Sequence, residues 1–244
     1  YIWNFTNFIN KNLHVTPKYN LISNYGIGEY SHHTKTYPVP YTPADMIKNK
    51  LEFFFDCSSP WTYLAFREIE QLCQRHDCNW IWKPILVGGV FNSTNPSVYE
   101  SRANPVQEKL SYFRKDMDDW AKIREIQFNW PDIFPINSVK AMRGSFFALE
   151  KNVLPQYSET IFSSYWTEGL DISSNVILVN IAEKLGWDSE EFLTYIEEPE
   201  TKEMLKKNTN ELMERGGFGS PTIFLNDSDM YFGNDRLHLI EKIL

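Results

Sequence analysis

The chain has 244 residues, 42% of them hydrophobic and 16% aromatic, enough apolar side chain to bury a substantial core in one large domain or two small ones. A formal net charge of −8 argues against a general nucleic-acid surface or an anionic membrane partner, both of which need clustered Lys and Arg, and no apolar stretch approaches the roughly 20 residues that span a bilayer. The three cysteines, Cys57, Cys73 and Cys78, make no C-x-x-C pair and leave an odd thiol however they pair, which favours a reducing, cytoplasmic setting.

Residues 1–49 are rich in Asn, Tyr, His and Pro and show no clear period. Their aromatics, Tyr1, Trp3, Phe5 and Phe8 among them, are too many for a typical disordered tail. The expectation is an amino-terminal extension that packs along the domain or across a partner subunit. It lacks a signal-peptide apolar region, and because the chain starts at Tyr1 rather than Met, a missing leader stays open.

A strand is predicted near 51–56, apolar almost throughout, as a central strand covered on both faces would be. From Trp61 the apolar residues Leu64, Ala65, Ile69 and Leu72 follow at helical spacing with one buried stripe. A second strand follows near 79–85, so the order β-α-β implies parallel neighbours and a right-handed crossover. Cys73, His76 and Cys78 sit where that helix ends and that strand begins. With no second cluster of matching spacing, they read as a buried helix-face Cys73 and incidental neighbours rather than a metal site.

Between Gly88 and about Pro199 the pattern is helical, with candidate helices near 105–123, 138–151, 156–167, 173–185 and 189–197. Asp188 followed by Glu191 resembles a capping box, and Asn137 or Ser138 is placed to cap the helix carrying Val139, Met142 and Phe146. A further helix near 201–214 leads into the Gly-rich loop Gly216-Gly217-Phe218-Gly219. Two strands joined by the polar turn Asn226-Asp227-Ser228-Asp229 follow, and then a short helix. A long helical segment between strands of one sheet reads as an insertion, 88–199, into a discontinuous sheet domain formed by 50–87 and 200–244.

The junction Phe55-Asp56-Cys57-Ser58-Ser59-Pro60-Trp61-Thr62-Tyr63 is the most informative stretch. Pro at the first helical position leaves Ser59 beside the unpaired N–H groups of the helix N-terminus, whose donors and dipole favour a bound anion. A redox protein of thioredoxin type puts cysteines three apart here; this chain has Ser59 and Thr62. The hydroxyl of Ser59 also reads simply as a helix cap. At the far end, Pro221 opens a strand after the Gly-rich loop and is a candidate cis peptide.

These motifs together resemble the 2-hydroxychromene-2-carboxylate isomerases and, more distantly, the kappa-class glutathione transferases, both on the DsbA branch of thioredoxin-like proteins. The resemblance covers roughly residues 50–244. It rests on Phe55-Asp56 with Ser59-Pro60 and Tyr63-Leu64-Ala65, on Lys83-Pro84 with Gly88-Gly89-Val90-Phe91, and on Asn95, Lys109, Tyr112, Asp116 and Trp120-Ala121. It continues with Tyr165-Trp166-Thr167-Glu168-Gly169, Gly219-Ser220-Pro221-Thr222 and Phe232-Gly233-Asn234-Asp235-Arg236-Leu237. The implied fold is an α/β thioredoxin-like sheet with a helical insertion.

The implied cofactor is glutathione, its sulfur held as a thiolate by Ser59, with no base placed to make Ser59 itself a nucleophile. Asn95 and Lys109 would meet the glycyl end, the backbone of Ser220 beside Pro221 the cysteinyl amide, and Asn234 with Asp235 the γ-glutamyl head. On their own terms Asn234 and Asp235 also read as caps of the last helix and Lys109 as a solvated helix face. The implied reaction is thiolate addition to a conjugated, ring-opened 2-oxo acid, single-bond rotation and elimination, with Trp61 and aromatics of the insertion walling the substrate pocket.

The resemblance also suggests a homodimer. The alternatives are a kappa-like glutathione transferase, a DsbA-like oxidoreductase in which Cys57 takes up glutathione, and a non-catalytic binding protein that keeps the fold.

Overall fold

The computed structural model describes residues 48–244, so the expected amino-terminal arm lies almost wholly outside the described residues. Strand β1 (Lys50–Phe55), helix α1 (Pro60–Arg75) and strand β2 (Asn79–Pro84) come first. Helices α2 (Val87–Thr94), α3 (Ser97–Ala103), α4 (Gln107–Ile123), α5 (Val139–Glu150), α6 (Leu154–Trp166), α7 (Asn175–Lys184), α8 (Ser189–Glu197) and α9 (Pro199–Glu214) follow. The chain closes with β3 (Thr222–Leu225), β4 (Asp229–Phe232), a single 3-10 turn at Asn234–Arg236 and α10 (Leu237–Glu241).

The four strands form one mixed sheet in the order β2-β1-β3-β4, with β1 parallel to β2 and antiparallel to β3. The run Phe53-Phe54-Phe55 shows why β1 is central: alternate side chains leave opposite faces of a strand. Phe53 and Phe55 pack with Phe66 of α1 and with Trp82 of β2. Phe54 points the other way, into a second cluster with Ile85, Val90, Leu212 and Phe224. Burying each such ring contributes roughly 2–3 kcal/mol. Beside it, buried Glu52 accepts a hydrogen bond from Arg215 Nη2 at 2.7 Å, and that guanidinium lies over the Phe224 ring at 3.7 Å, fastening the end of α9 to the sheet. The β3–β4 turn uses positive φ at both Asn226 and Asp227, residue types that tolerate it.

The local pattern singles out neither α2 nor α3, which itself buries no residue; within α2, Gly88 and Gly89 interrupt the propensity pattern. Tertiary packing supplies what propensity lacks. Val87 and Val90 are buried, Leu86 N–H donates to Thr209 Oγ1 at 3.0 Å, and Gly89 lies beside Thr209, where a Cβ would make an ordinary contact with its methyl group at 3.4 Å.

Gly144 is a tighter case. A Cβ on it would lie 2.8 Å from Phe192 Cζ and collide with the buried Tyr157 hydroxyl, which donates to the Ala141 carbonyl at 2.8 Å. Gly144→Ala is therefore expected to destabilise by about 3 kcal/mol through overpacking, read as a lower urea midpoint at unchanged slope. An unchanged midpoint would show that α5 and α6 can part at no cost.

Candidate active site

β1 delivers Asp56 just past its carboxyl end, and Ser59 follows in extended conformation (φ −101°, ψ 121°) as the N-cap of α1, with Pro60 in the first turn. Pro is at home there because that N–H has no intrahelical acceptor. Ser59 Oγ accepts the Thr62 N–H at 3.3 Å, and its hydroxyl donates to the Ser220 carbonyl at 2.9 Å. The Ser220–Pro221 peptide is cis. Ser220 Oγ in turn accepts the Asp56 N–H at 3.0 Å and lies 2.8 Å from Thr62 Oγ1. Both positions that would hold a dithiol thus carry hydroxyls that bond to Ser220. The Ser59 hydroxyl is both cap and donor, and to reach a ligand it must turn away from the Ser220 carbonyl.

Asp56 had no role in the sequence reading beyond its place in the motif. It is fully buried. Its Oδ1 accepts the Ser58 N–H at 2.9 Å, and its Oδ2 accepts the Val87 N–H at 2.8 Å and the Ser138 hydroxyl at 3.0 Å. Burial raises its pKa above the ordinary carboxylate value, opposed in part by those three donors. Ser138 does occupy the N-cap position of α5, but its side chain makes no cap bond because Asp56 takes its hydroxyl. Asn137 accepts the Val139 N–H instead, at 3.1 Å. The expected cap at Asp188 is present, accepting the Glu191 N–H at 2.8 Å.

Cys57 is 2% exposed, its N–H directed at Met142 Sδ and its carbonyl accepting Trp166 Nε1–H at 2.8 Å. Burial first, and then the charge of Asp56, push its thiol well above the ordinary range. A protonated, enclosed thiol is a poor partner for mixed-disulfide formation.

Asn95 ends α2 and donates from Nδ2 to the Phe218 carbonyl at 3.3 Å, which ties it to the loop leading into Ser220. Lys109 is exposed in the first turn of α4, one helical turn before Phe113 and therefore on the same face. Phe113 meets Trp61 edge-on at 5.4 Å, and Trp130 continues the row at 5.6 Å from Phe113. An aromatic wall thus runs from α1 to the segment before α5.

Asn234 is 3% exposed in the turn after β4, and its Nδ2 has no hydrogen-bond partner among the described residues. That turn packs on α1. Asp235 pairs with its neighbour Arg236 at 3.4 Å and also faces α4, where burial and the charge of Asp235 raise the pKa of Asp116. Asp116 carries no role that its sequence neighbours reveal; its proximity to Asp235 is a tertiary fact.

Two surface hollows of about 450 Å3 are lined elsewhere, by α6–α7 residues such as Ile177 and Ile181 and by α1–α6 residues such as Arg67 and Glu159. Neither includes Ser59. Among the described residues no three His, Cys, Asp or Glu side chains gather as metal ligands, and no helix is long and apolar enough to cross a membrane.

A mixed sheet whose central strand feeds a helix N-terminus faced by a cis-proline defines a thioredoxin-like protein, here with serine and threonine where a dithiol would stand. Residues 50–244 match the family described as the DSBA-like thioredoxin domain. The chain is 30% identical over 197 residues to the 2-hydroxychromene-2-carboxylate isomerase of Pseudomonas sp. (strain C18), covering 79% of this chain and 88% of that one. It belongs to the DSBA-like thioredoxin family and, within it, to the branch of these isomerases. Human glutathione S-transferase kappa 1 is 25% identical over 215 residues, covering 80% and 90% of the two chains. A solved structure of a 2-hydroxychromene-2-carboxylate isomerase superposes with a TM-score of 0.68 at 27% identity, over 80% of this chain and 93% of that one. The relatives are thus isomerases and glutathione transferases, enzymes that act on small molecules.

Proposed function

We propose that this protein is a glutathione-dependent cis-trans isomerase of 2-hydroxychromene-2-carboxylate or a related conjugated 2-oxo acid. The observation that carries this reading is the Ser59 hydroxyl at the N-terminus of α1 opposite cis-Pro221, where N–H donors and the helix dipole favour an anionic sulfur. Bound glutathione would supply that sulfur as a thiolate able to add reversibly to a conjugated double bond and so leave a single bond free to rotate.

Ser59 acts by turning its hydroxyl from the Ser220 carbonyl to the sulfur, a switch favoured because a hydrogen bond to an anion is roughly twice as strong as a neutral one. The backbone of Ser220 beside Pro221 pairs with the cysteinyl amide, and Asn95 and Lys109 receive the glycyl carboxylate. Asn234 offers its buried Nδ2, which has no hydrogen-bond partner among the described residues, to the γ-glutamyl carboxylate, which is the best sign that the residues present fit this peptide. Trp61, Phe113 and Trp130 flank a planar substrate and exclude water from it.

Asp116 and Asp235 would share the ammonium of the γ-glutamyl head, which relieves the repulsion that helps raise the pKa of Asp116. Asp116→Asn is expected to weaken glutathione binding about five- to tenfold. Wild-type affinity should fall as pH drops through that raised pKa, because a protonated Asp116 no longer attracts the ammonium. Calorimetry with glutathione, and with an analogue lacking that amine, measures both. Equal affinities for the variant and the wild type would remove Asp116 from the site.

The isomerase reading is tested by titrating reduced glutathione into the intact protein over a pH series. Binding that releases a proton near neutral pH, followed by turnover of 2-hydroxychromene-2-carboxylate with glutathione regenerated, is the expected result. An accumulating thioether would favour the kappa-like transferase. No glutathione binding to folded protein would favour a non-catalytic role. Dithiol exchange is disfavoured because Ser59 and Thr62 cannot form a disulfide and Cys57 is enclosed. We further infer that 88–199 is a helical insertion in a thioredoxin-like domain made of 50–87 and 200–244, and that the protein works as a cytoplasmic homodimer; its mass in solution tests the last point.

A further inference from the structure

Helix α1 ends in a Schellman-type turn: Cys78 N–H donates to the Cys73 carbonyl at 2.9 Å, and Asp77 between them has φ 49°. That termination brings together the side chains at its two ends, ordinarily as a hydrophobic contact. Here the two residues are cysteines, both free and buried, with their sulfur atoms 3.6 Å apart. The site at Ser59 uses neither of them. They lie at the other end of α1, about 20 Å of helix away.

We propose that Cys73 and Cys78 are a redox modification site, a dithiol that a small peroxide converts to an intrachain disulfide. A disulfide needs its sulfurs about 2.05 Å apart, so these must close by about 1.5 Å, within reach of side-chain rotation on a backbone whose turn already holds the two residues together.

Cys78 reacts first because it is the more exposed of the two, at 4% against 0%, and sits beside Asp77, whose side chain is 81% exposed at the surface. Its sulfur attacks one peroxide oxygen: an S–O bond forms, the O–O bond breaks, and the departing hydroxide takes the Cys78 proton as water. The Cys73 sulfur then attacks the resulting sulfenic sulfur: the S–S bond forms, the S–O bond breaks, and hydroxide leaves with the Cys73 proton as a second water. The two thiols lose two electrons and the peroxide gains them. Burial holds both thiols above their ordinary pKa, so closure is slow at neutral pH and quickens as pH rises. Opening of the exposed turn gives the oxidant access. Cys57 has no second thiol beside it and no such turn.

The test treats the native protein with hydrogen peroxide, quenches, denatures, alkylates the remaining thiols and maps the peptides by mass. The expected result is loss of two of the three thiols, a chain lighter by two hydrogens with Cys73 cross-linked to Cys78, and reversal by dithiothreitol. Cys78→Ser, verified as folded by its thermal transition, should give no cross-link. Three alkylated thiols after prolonged treatment, a cross-link through Cys57, or sulfinic acid at Cys73 or Cys78 in place of the disulfide would each overturn the proposal.

Discussion

Replacing Asp56 with alanine is expected to cost the fold about 3–5 kcal/mol, because it strands three buried donors at once, the Ser58 and Val87 N–H groups and the Ser138 hydroxyl. These donors join the end of β1 to the start of α2 and the start of α5, so the loss falls on three elements together. Urea unfolding at unchanged slope measures it. The cost carries a pH signature whose sign follows from the pKa. Asp56 titrates above its ordinary value of 3.8 in the folded chain, so the native state holds this proton more tightly than the unfolded state does. The contribution is complete below about that value and is lost as pH rises through the folded pKa. The stability gap between wild type and Asp56→Ala should accordingly be widest below about pH 4 and narrow as pH rises. A gap that widens with pH would mean that the three hydrogen bonds, and not burial, dominate this carboxyl.

Ser59→Ala is expected to lower kcat/KM for the proposed isomerisation by about 10²–10³, the scale seen when one donor to a developing anion is removed. It should also abolish proton release on glutathione binding near neutral pH. Because Ser59 caps α1 and holds the Ser220 carbonyl, a stability loss of about 1 kcal/mol should accompany it, too little to unfold the protein and so separable from the kinetic loss. Turnover kinetics check the first effect, thiolate absorbance of the bound tripeptide the second, and thermal melting the third. An alanine variant with wild-type turnover would leave Ser59 as a helix cap and nothing more.

How much of this was legible beforehand divides along a physical line. The apolar run 51–56 announced a strand buried on both faces, and Phe53, Phe54 and Phe55 do divide between two cores. Pro60 and the stripe from Leu64 to Leu72 announced α1, the polar turn at 226–229 the β3–β4 hairpin, and the loop before Pro221 a cis peptide. Those signals are local, because periodicity, caps and turn chemistry act over a few residues. The pairing of Ser59 with Thr62 in place of a dithiol was equally visible, because it is one helical turn of sequence.

Only the tertiary structure decided which groups meet across distance. It took Ser138 from capping α5 and gave it to Asp56, 82 positions away. It set Asp235 against Asp116, left Asn234 Nδ2 buried without a hydrogen-bond partner among the described residues, and joined Thr62 to Ser220. It made a helix of α2 against a weak local pattern, because Val90 finds an apolar surface formed with Leu212 and Phe224. It also joined Cys73, which the sequence marks only as a buried helix-face residue, to the incidental-looking Cys78 as a thiol pair, through the turn that ends α1. The sequence by itself determined most of the elements and the chemical character of the helix N-terminus, because both follow from neighbours along the chain. The hydrogen-bond partners, the ionisation of the buried acid and the pairing of the thiols belong to packing, since each depends on what the fold brings within about 4 Å.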